Sequence, residues 1–90
     1  MRYYSVFMKG DTKMKIRKNF MEGLEQKVYI HENKKEELIL IAIPDIEWSY
    51  LFTYEAEDIQ KDLFQSLKRR VTEEKAEVIG SRILQWTREM

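Results

Sequence analysis

An antiparallel β-meander of four or five strands followed by two C-terminal helices, packed as one α+β domain, is the fold this sequence predicts. Two observations carry the prediction. As far as Thr53–Glu55, apolar residues come in short alternating or continuous runs separated by turn residues; beyond that point they recur at helical spacing to the end of the chain. The length of 90 residues leaves room for one domain, residues 1–90, and no more.

The strands follow in order. Arg2–Lys9 is rich in β-formers and stops at Gly10-Asp11, a turn signal. Lys13–Phe20 alternates, with Met14, Ile16 and Phe20 on one side and Lys13, Lys15 and Arg17 on the other. Met21-Glu22-Gly23 supplies the next turn. Glu25–His31 sets Val28 and Ile30 against Lys27, Tyr29 and His31, and Glu32-Asn33-Lys34-Lys35 reads as a polar hairpin tip. Leu38–Ile43 is apolar on both faces, as a central strand covered on each side would be. Pro44-Asp45 turns the chain, because proline fixes φ and cannot donate to a ladder. Glu47–Tyr54 alternates again and places Trp48, Tyr50, Phe52 and Tyr54 in one row.

For the helices, Glu55, Glu57 and Asp58 put negative charge into a first turn, where the macrodipole favours it. Ile59, Leu63, Phe64, Leu67 and Val71 share one stripe, with Lys68, Arg69 and Arg70 at the C-terminal end. Ala76, Ile79, Gly80, Ile83, Leu84 and Trp86 form a second stripe, which makes Trp86 a core residue. The two stripes are out of phase on a common wheel, so the helices should meet at a bend near Val71-Thr72, with Thr72 as N-cap and Glu73-Glu74 just inside.

Composition narrows the function classes. There is no cysteine, which excludes disulfides, thiolate chemistry and Cys-ligated metals and fits a reducing cytoplasm. The apolar run Leu38–Ile43 is too short to span a bilayer, and the N-terminus alternates rather than carrying a signal-like apolar stretch, so a cytoplasmic protein without a membrane partner is expected. Met14-Lys15-Ile16-Arg17-Lys18 reads like a translation start, which would make residues 1–13 an N-terminal extension. Net charge is zero but unevenly spread: residues 1–20 carry six bases and one acid, residues 21–62 four and eleven, residues 63–90 six and four. Such a chain lacks the broad positive field of a strongly basic nucleic-acid binder.

No catalytic or metal-binding constellation is legible, so neither enzyme activity nor a cofactor is expected. His31 is the sole histidine and reads as a solvated strand-end residue. Glu36 and Glu37 point to opposite faces of a strand, and Glu55, Glu57, Asp58 and Asp62 read as a solvated helix start. The serines lack a nucleophile-elbow context and the three glycines form no phosphate loop.

Two surfaces remain. Lys13, Lys15 and Arg17, beside Lys27 and Tyr29, could track phosphates while an aromatic row stacks bases. The same aromatic row reads more simply as the floor on which the helices pack. The order of elements resembles, at fold level alone, the sheet-then-helix units of whirly and PUR-type nucleic-acid binders, and no motif carries the likeness further. The other surface is Leu38, Leu40 and Ala42, because helices one stripe wide can cover one face of the central strand and leave the second in water. A non-enzymatic interaction or regulatory protein that forms a homodimer, with an unidentified protein partner, is therefore the leading expectation. A single-stranded nucleic-acid-binding domain is the alternative.

Overall fold

The computed structural model describes residues 12–89. The strand expected over Arg2–Lys9 and its turn at Gly10-Asp11 lie outside them. Among the described residues, four strands form one sheet: β1 (Thr12–Met21), β2 (Leu24–Asn33), β3 (Leu38–Ile43) and β4 (Trp48–Thr53). They are ordered β1-β2-β3-β4, each antiparallel to its neighbour. Helices α1 (Ile59–Leu67) and α2 (Glu73–Arg88) follow. The fold is α+β, an antiparallel sheet followed by two helices.

Turn chemistry fixes the register. Met21 pairs with Leu24, so Glu22-Gly23 is a two-residue loop, and both residues have positive φ, 55° and 78°. That is the mirror-type turn whose twist matches a hairpin, and glycine takes its second position without strain. Between β2 and β3, Asn33 Oδ1 accepts from the Glu36 backbone N–H at 3.0 Å, and Glu37 closes the loop at φ 56°. Pro44–Ile46 makes one 3-10 turn, after which Glu47 at φ 51° donates its N–H to the Pro44 carbonyl at 2.9 Å.

Both helices lie on the same face of the sheet. Val28, Ile30, Ile39, Ile41, Ile43 and Trp48 form one buried cluster with Leu63 and Leu67 of α1 and Ala76, Ile79 and Ile83 of α2. Two polar contacts anchor this layer. Trp48 Nε1 donates to Ser66 Oγ at 2.9 Å, tying α1 to β4. Asn19, buried in β1, accepts from Arg82 of α2 and donates to Gln26 Oε1 at 3.1 Å. The Arg82 guanidinium also reaches the Phe20 carbonyl at 3.3 Å. At the hairpin tip Lys75 pairs with Glu22 at 3.0 Å.

Three expectations need correction. The first helix starts at Ile59 and not at Glu55. Tyr54 donates its N–H to the Glu37 carbonyl (2.9 Å) and Ala56 to that of Thr53 (3.1 Å), so the backbone there belongs to the sheet end. Asp58 consequently occupies the cap position, and its side chain makes no capping bond. Lys68, Arg69 and Arg70 fall in the turn after α1. Trp86 is half-buried and lies at the margin of a buried stripe formed by Ala76, Ile79, Gly80 and Ile83. At sixteen residues α2 overhangs the nine-residue α1, so its last turn has less helix beside it. The bend falls where the phase break places it: Thr72 caps α2, its hydroxyl accepting from Lys75 N–H at 3.3 Å.

Candidate interaction surface

Directly paired residues of an antiparallel ladder point to the same face, and successive residues alternate. The register therefore sorts every strand residue. On the helix side lie Val28 and Ile30, Ile39, Ile41 and Ile43, and Trp48, Tyr50 and Phe52. The Trp48 and Tyr50 rings stack at 6.3 Å and Tyr50 meets Phe52 at 6.5 Å, under the helices and not toward solvent. Tyr54, at the end of the row, is exposed and donates its hydroxyl to Glu32.

On the opposite face the side chains form three rows across the sheet: Thr12–Asn33–Leu38–Thr53, then Met14–His31–Leu40–Leu51, then Ile16–Tyr29–Ala42–Ser49. Beyond them Lys18 stands opposite Lys27, and Phe20 opposite Glu25. Lys18 and Glu25 form a loose exposed pair at 4.0 Å. Nothing among the described residues packs on this face. Met14, Ile16, Leu40 and Leu51 are 48%, 53%, 37% and 57% exposed, and Phe20 is exposed as well.

The polarity of β1 is inverted relative to the core. Its apolar residues Met14, Ile16 and Phe20 point away from the helices, while Lys13, Lys15, Arg17 and the buried Asn19 point toward the helix side. A strand serving only the helix-covered core would have the reverse pattern.

The residues singled out from the sequence thus fall on two surfaces. Leu38, Leu40 and Ala42 share the open face. The basic and aromatic residues do not converge: Lys13, Lys15 and Arg17 lie on the helix side of the edge strand, and Lys27 and Tyr29 lie on the open face. The spacing of Lys27 and Tyr29 within β2 gave their alternation correctly, but pairing across strands decides which neighbours they meet. The Lys34 ammonium beside Lys13 pushes the Lys13 amine below the ordinary lysine range. Arg17 Nε is buried without a hydrogen-bond partner. His31 is not a strand-end residue: β2 continues two residues beyond it, and it sits half-buried between Met14 and Leu40 in the middle row. Two residues escaped the sequence reading, Asn19 and Arg82. A polar residue in the strand position facing the core was the available signal for Asn19; its partner lies 63 residues away.

Chemical equipment elsewhere is sparse. No group of three or more His, Asp or Glu side chains among the described residues is arranged to hold a metal ion. A groove of about 580 Å³ between the helices is lined by Asp58, Lys61, Phe64, Glu77, Gly80 and Ser81 among others. Its acids and its lysine show no hydrogen-bonded pairing with Ser81 that would activate the hydroxyl. No helix among the described residues is long and apolar enough to cross a membrane.

Comparison with known proteins supplies a family and no activity. A family model described as "YueH-like protein" matches residues 15–89. The chain is 39% identical over 82 residues to "Uncharacterized protein YueH" of Bacillus subtilis (strain 168), an alignment that covers 86% of this chain and 100% of that protein. No solved structure gives a significant match. On the family match and on the full-length similarity to the Bacillus protein, the chain belongs to the YueH-like family.

Proposed function

We propose that this protein is a small non-enzymatic cytosolic interaction protein that self-associates through its uncovered sheet face. The observation that carries the reading is the inverted polarity of β1, which adds Met14 and Ile16 to Leu38, Leu40, Ala42 and Leu51 on the side away from the helices. Contiguous exposed apolar surface of this extent marks interaction sites in soluble proteins.

A second copy of the chain is an occupant of suitable size. Strands about 4.8 Å apart and rising about 3.3 Å per residue make the plane of two ten-residue and two six-residue strands roughly 500 Å². Two such faces bury on the order of 1,000 Å², the threshold of a specific interface. Corrugation of the side chains adds to that figure. Sheet-on-sheet packing with interdigitated side chains is the usual way two such faces close. Nucleic acid is the less favoured partner, because the aromatic row lies beneath the helices and the basic residues are split between faces.

The mass in solution at tens of micromolar tests the reading. The parent chain should run at twice its 11.0 kDa. Leu51→Glu should run as a monomer with an unchanged circular dichroism spectrum, since Leu51 is 57% exposed and outside the core. A parent that stays at 11.0 kDa removes self-association as the function of this face.

A further inference from the structure

We propose that the outer edge of β1 docks an extended acidic segment of a partner protein as an added strand, its carboxylates seated on Lys13, Lys15 and Arg17. This surface lies on the helix side of the sheet, separate from the open face, and needs no second copy of the chain. Charge and an orphaned donor point to it.

Arg17 stands opposite Val28 and Lys15 opposite Ile30, both buried and apolar, so neither base has an acid across the strands. Neither side chain forms an ion pair or hydrogen bond among the described residues. Lys13 stands opposite Glu32, whose carboxylate already accepts from the Tyr54 hydroxyl, and Lys34 lies beside it. The result is a row of three bases, two strand residues or about 6.6 Å apart, whose charge is largely uncompensated.

Basic residues on an edge strand can serve simply to keep other strands away, and in that role they stay solvated. Lys15 is exposed and fits that role; Arg17 does not. It is half-buried, and its Nε is shut off from water with no acceptor. Helix α2 runs alongside. Lys75 reaches Glu22 at 3.0 Å and Arg82 reaches the Phe20 carbonyl at 3.3 Å, so the helix passes back along β1. Rises of about 1.5 Å per helical and 3.3 Å per strand residue then bring Trp86 roughly level with Arg17. A buried donor without an acceptor is costly. A carboxylate answers it, because Nε and a neighbouring Nη offer parallel N–H bonds to its two oxygens.

An extended polypeptide fits the spacing and the place. Among the described residues β1 pairs with β2 alone, and an edge strand presents backbone N–H and C=O groups to an incoming chain. Alternate side chains of an added strand repeat at the same interval of about 6.6 Å and share one face. Acids at every second position would meet Lys13, Lys15 and Arg17, and the residues between them would lie beside Met14 and Ile16 on the other face. The partner is thus a segment in which acidic and apolar residues alternate. A nucleic acid strand would find the phosphates' counter-charges here but no aromatic platform, since Trp48, Tyr50 and Phe52 lie beneath the helices.

Titration of the full chain with a peptide of about seven residues, glutamate alternating with valine or threonine, tests this. Binding should be saturable, weaken as salt is added, and shift amide resonances along β1 while leaving Leu40 and Leu51 unchanged. A peptide with glutamine for glutamate, and one of the same composition with its glutamates contiguous, should each bind at least about tenfold more weakly. Arg17→Lys keeps the charge and removes Nε, and should weaken binding about tenfold; Lys15→Gln should weaken it as well, and Lys27→Gln, on the open face, should not. Circular dichroism confirms the fold of each variant, and exposed Lys15 keeps the test open should Arg17→Lys not fold. A full chain that binds no peptide, as when residues 1–11 already hold the edge, overturns the docking site. So does equal binding of the contiguous peptide, an Arg17→Lys variant that binds like the parent, an equal loss in Lys27→Gln, or tighter binding of oligothymidylate than of the alternating peptide. None of these outcomes bears on self-association, which the mass in solution reads separately.

Discussion

Glu47 shows how a single backbone angle can cost stability without any lost contact. It sits at φ 51° after the 3-10 turn, where a non-glycine L-residue is strained by about 1 kcal/mol or more. Glu47→Gly should raise stability by about 0.5 kcal/mol, the gain being reduced by the extra freedom of glycine in the unfolded chain. Glu47→Val, a β-branched residue in the left-handed region, should lower it by more than about 1 kcal/mol. Denaturant midpoints that rank valine above glycine would show the turn is not held in this conformation. Tyr54 gives a second test at this scale. Its hydroxyl donates to the Glu32 carboxylate, and this bond, with desolvation and the charges of Glu32 and Glu37, raises its pKa from 10.0 to about 12. A raised folded value means the folded state holds the proton more tightly. The stabilisation is therefore complete below pH 10 and lost as pH rises toward 12. An ultraviolet phenol titration should show one late component that is absent in Tyr54→Phe and shifts down in Glu32→Gln; no change in either variant would mean the contact does not form in solution.

Elements are held together by a few polar contacts placed over the apolar core. Asn19 joins β1, β2 and α2 by bonding both Gln26 and Arg82. Asn19→Ala leaves those partners with unmet hydrogen-bonding capacity at a buried site and should cost about 1–3 kcal/mol in chemical denaturation. A cost below about 0.5 kcal/mol would show that the Asn19 contacts do not hold α2 to the sheet. Element boundaries were legible wherever local chemistry decides them. Leu38–Ile43 is bracketed by a polar tip and a proline, Glu22-Gly23 demands a tight turn, and Thr72 caps the helix that follows it. They were illegible where distant groups decide. Glu55–Asp58 carries helix-start acids, but the N–H of Tyr54 is taken by Glu37 of the β2–β3 loop. Trp86 has the phase of a core residue, and the shorter length of α1 leaves it half-buried.

At the scale of the whole molecule, the described residues form a sheet with one face closed by helices and one face open. The sequence contained both apolar sets of β3, Ile39, Ile41 and Ile43 and Leu38, Leu40 and Ala42, without saying which the helices take. That choice is settled by the alternation of three other strands in register: Trp48 and Val28 join the isoleucines, and Met14, Ile16 and Leu51 join the leucines. His31 was misjudged for the same reason, since its neighbours Met14 and Leu40 come from other strands. The measurement closest to the central claim is an isotope-filtered nuclear Overhauser experiment on a mixture of labelled and unlabelled chains, which reports contacts between copies only. Cross-peaks between copies should arise from the methyl groups of Met14, Leu40 and Leu51, with none from Ile30, Ile41 or Leu63. Intermolecular cross-peaks from the helix side, or none from Leu40 and Leu51, would contradict closure of the open sheet face by a second copy.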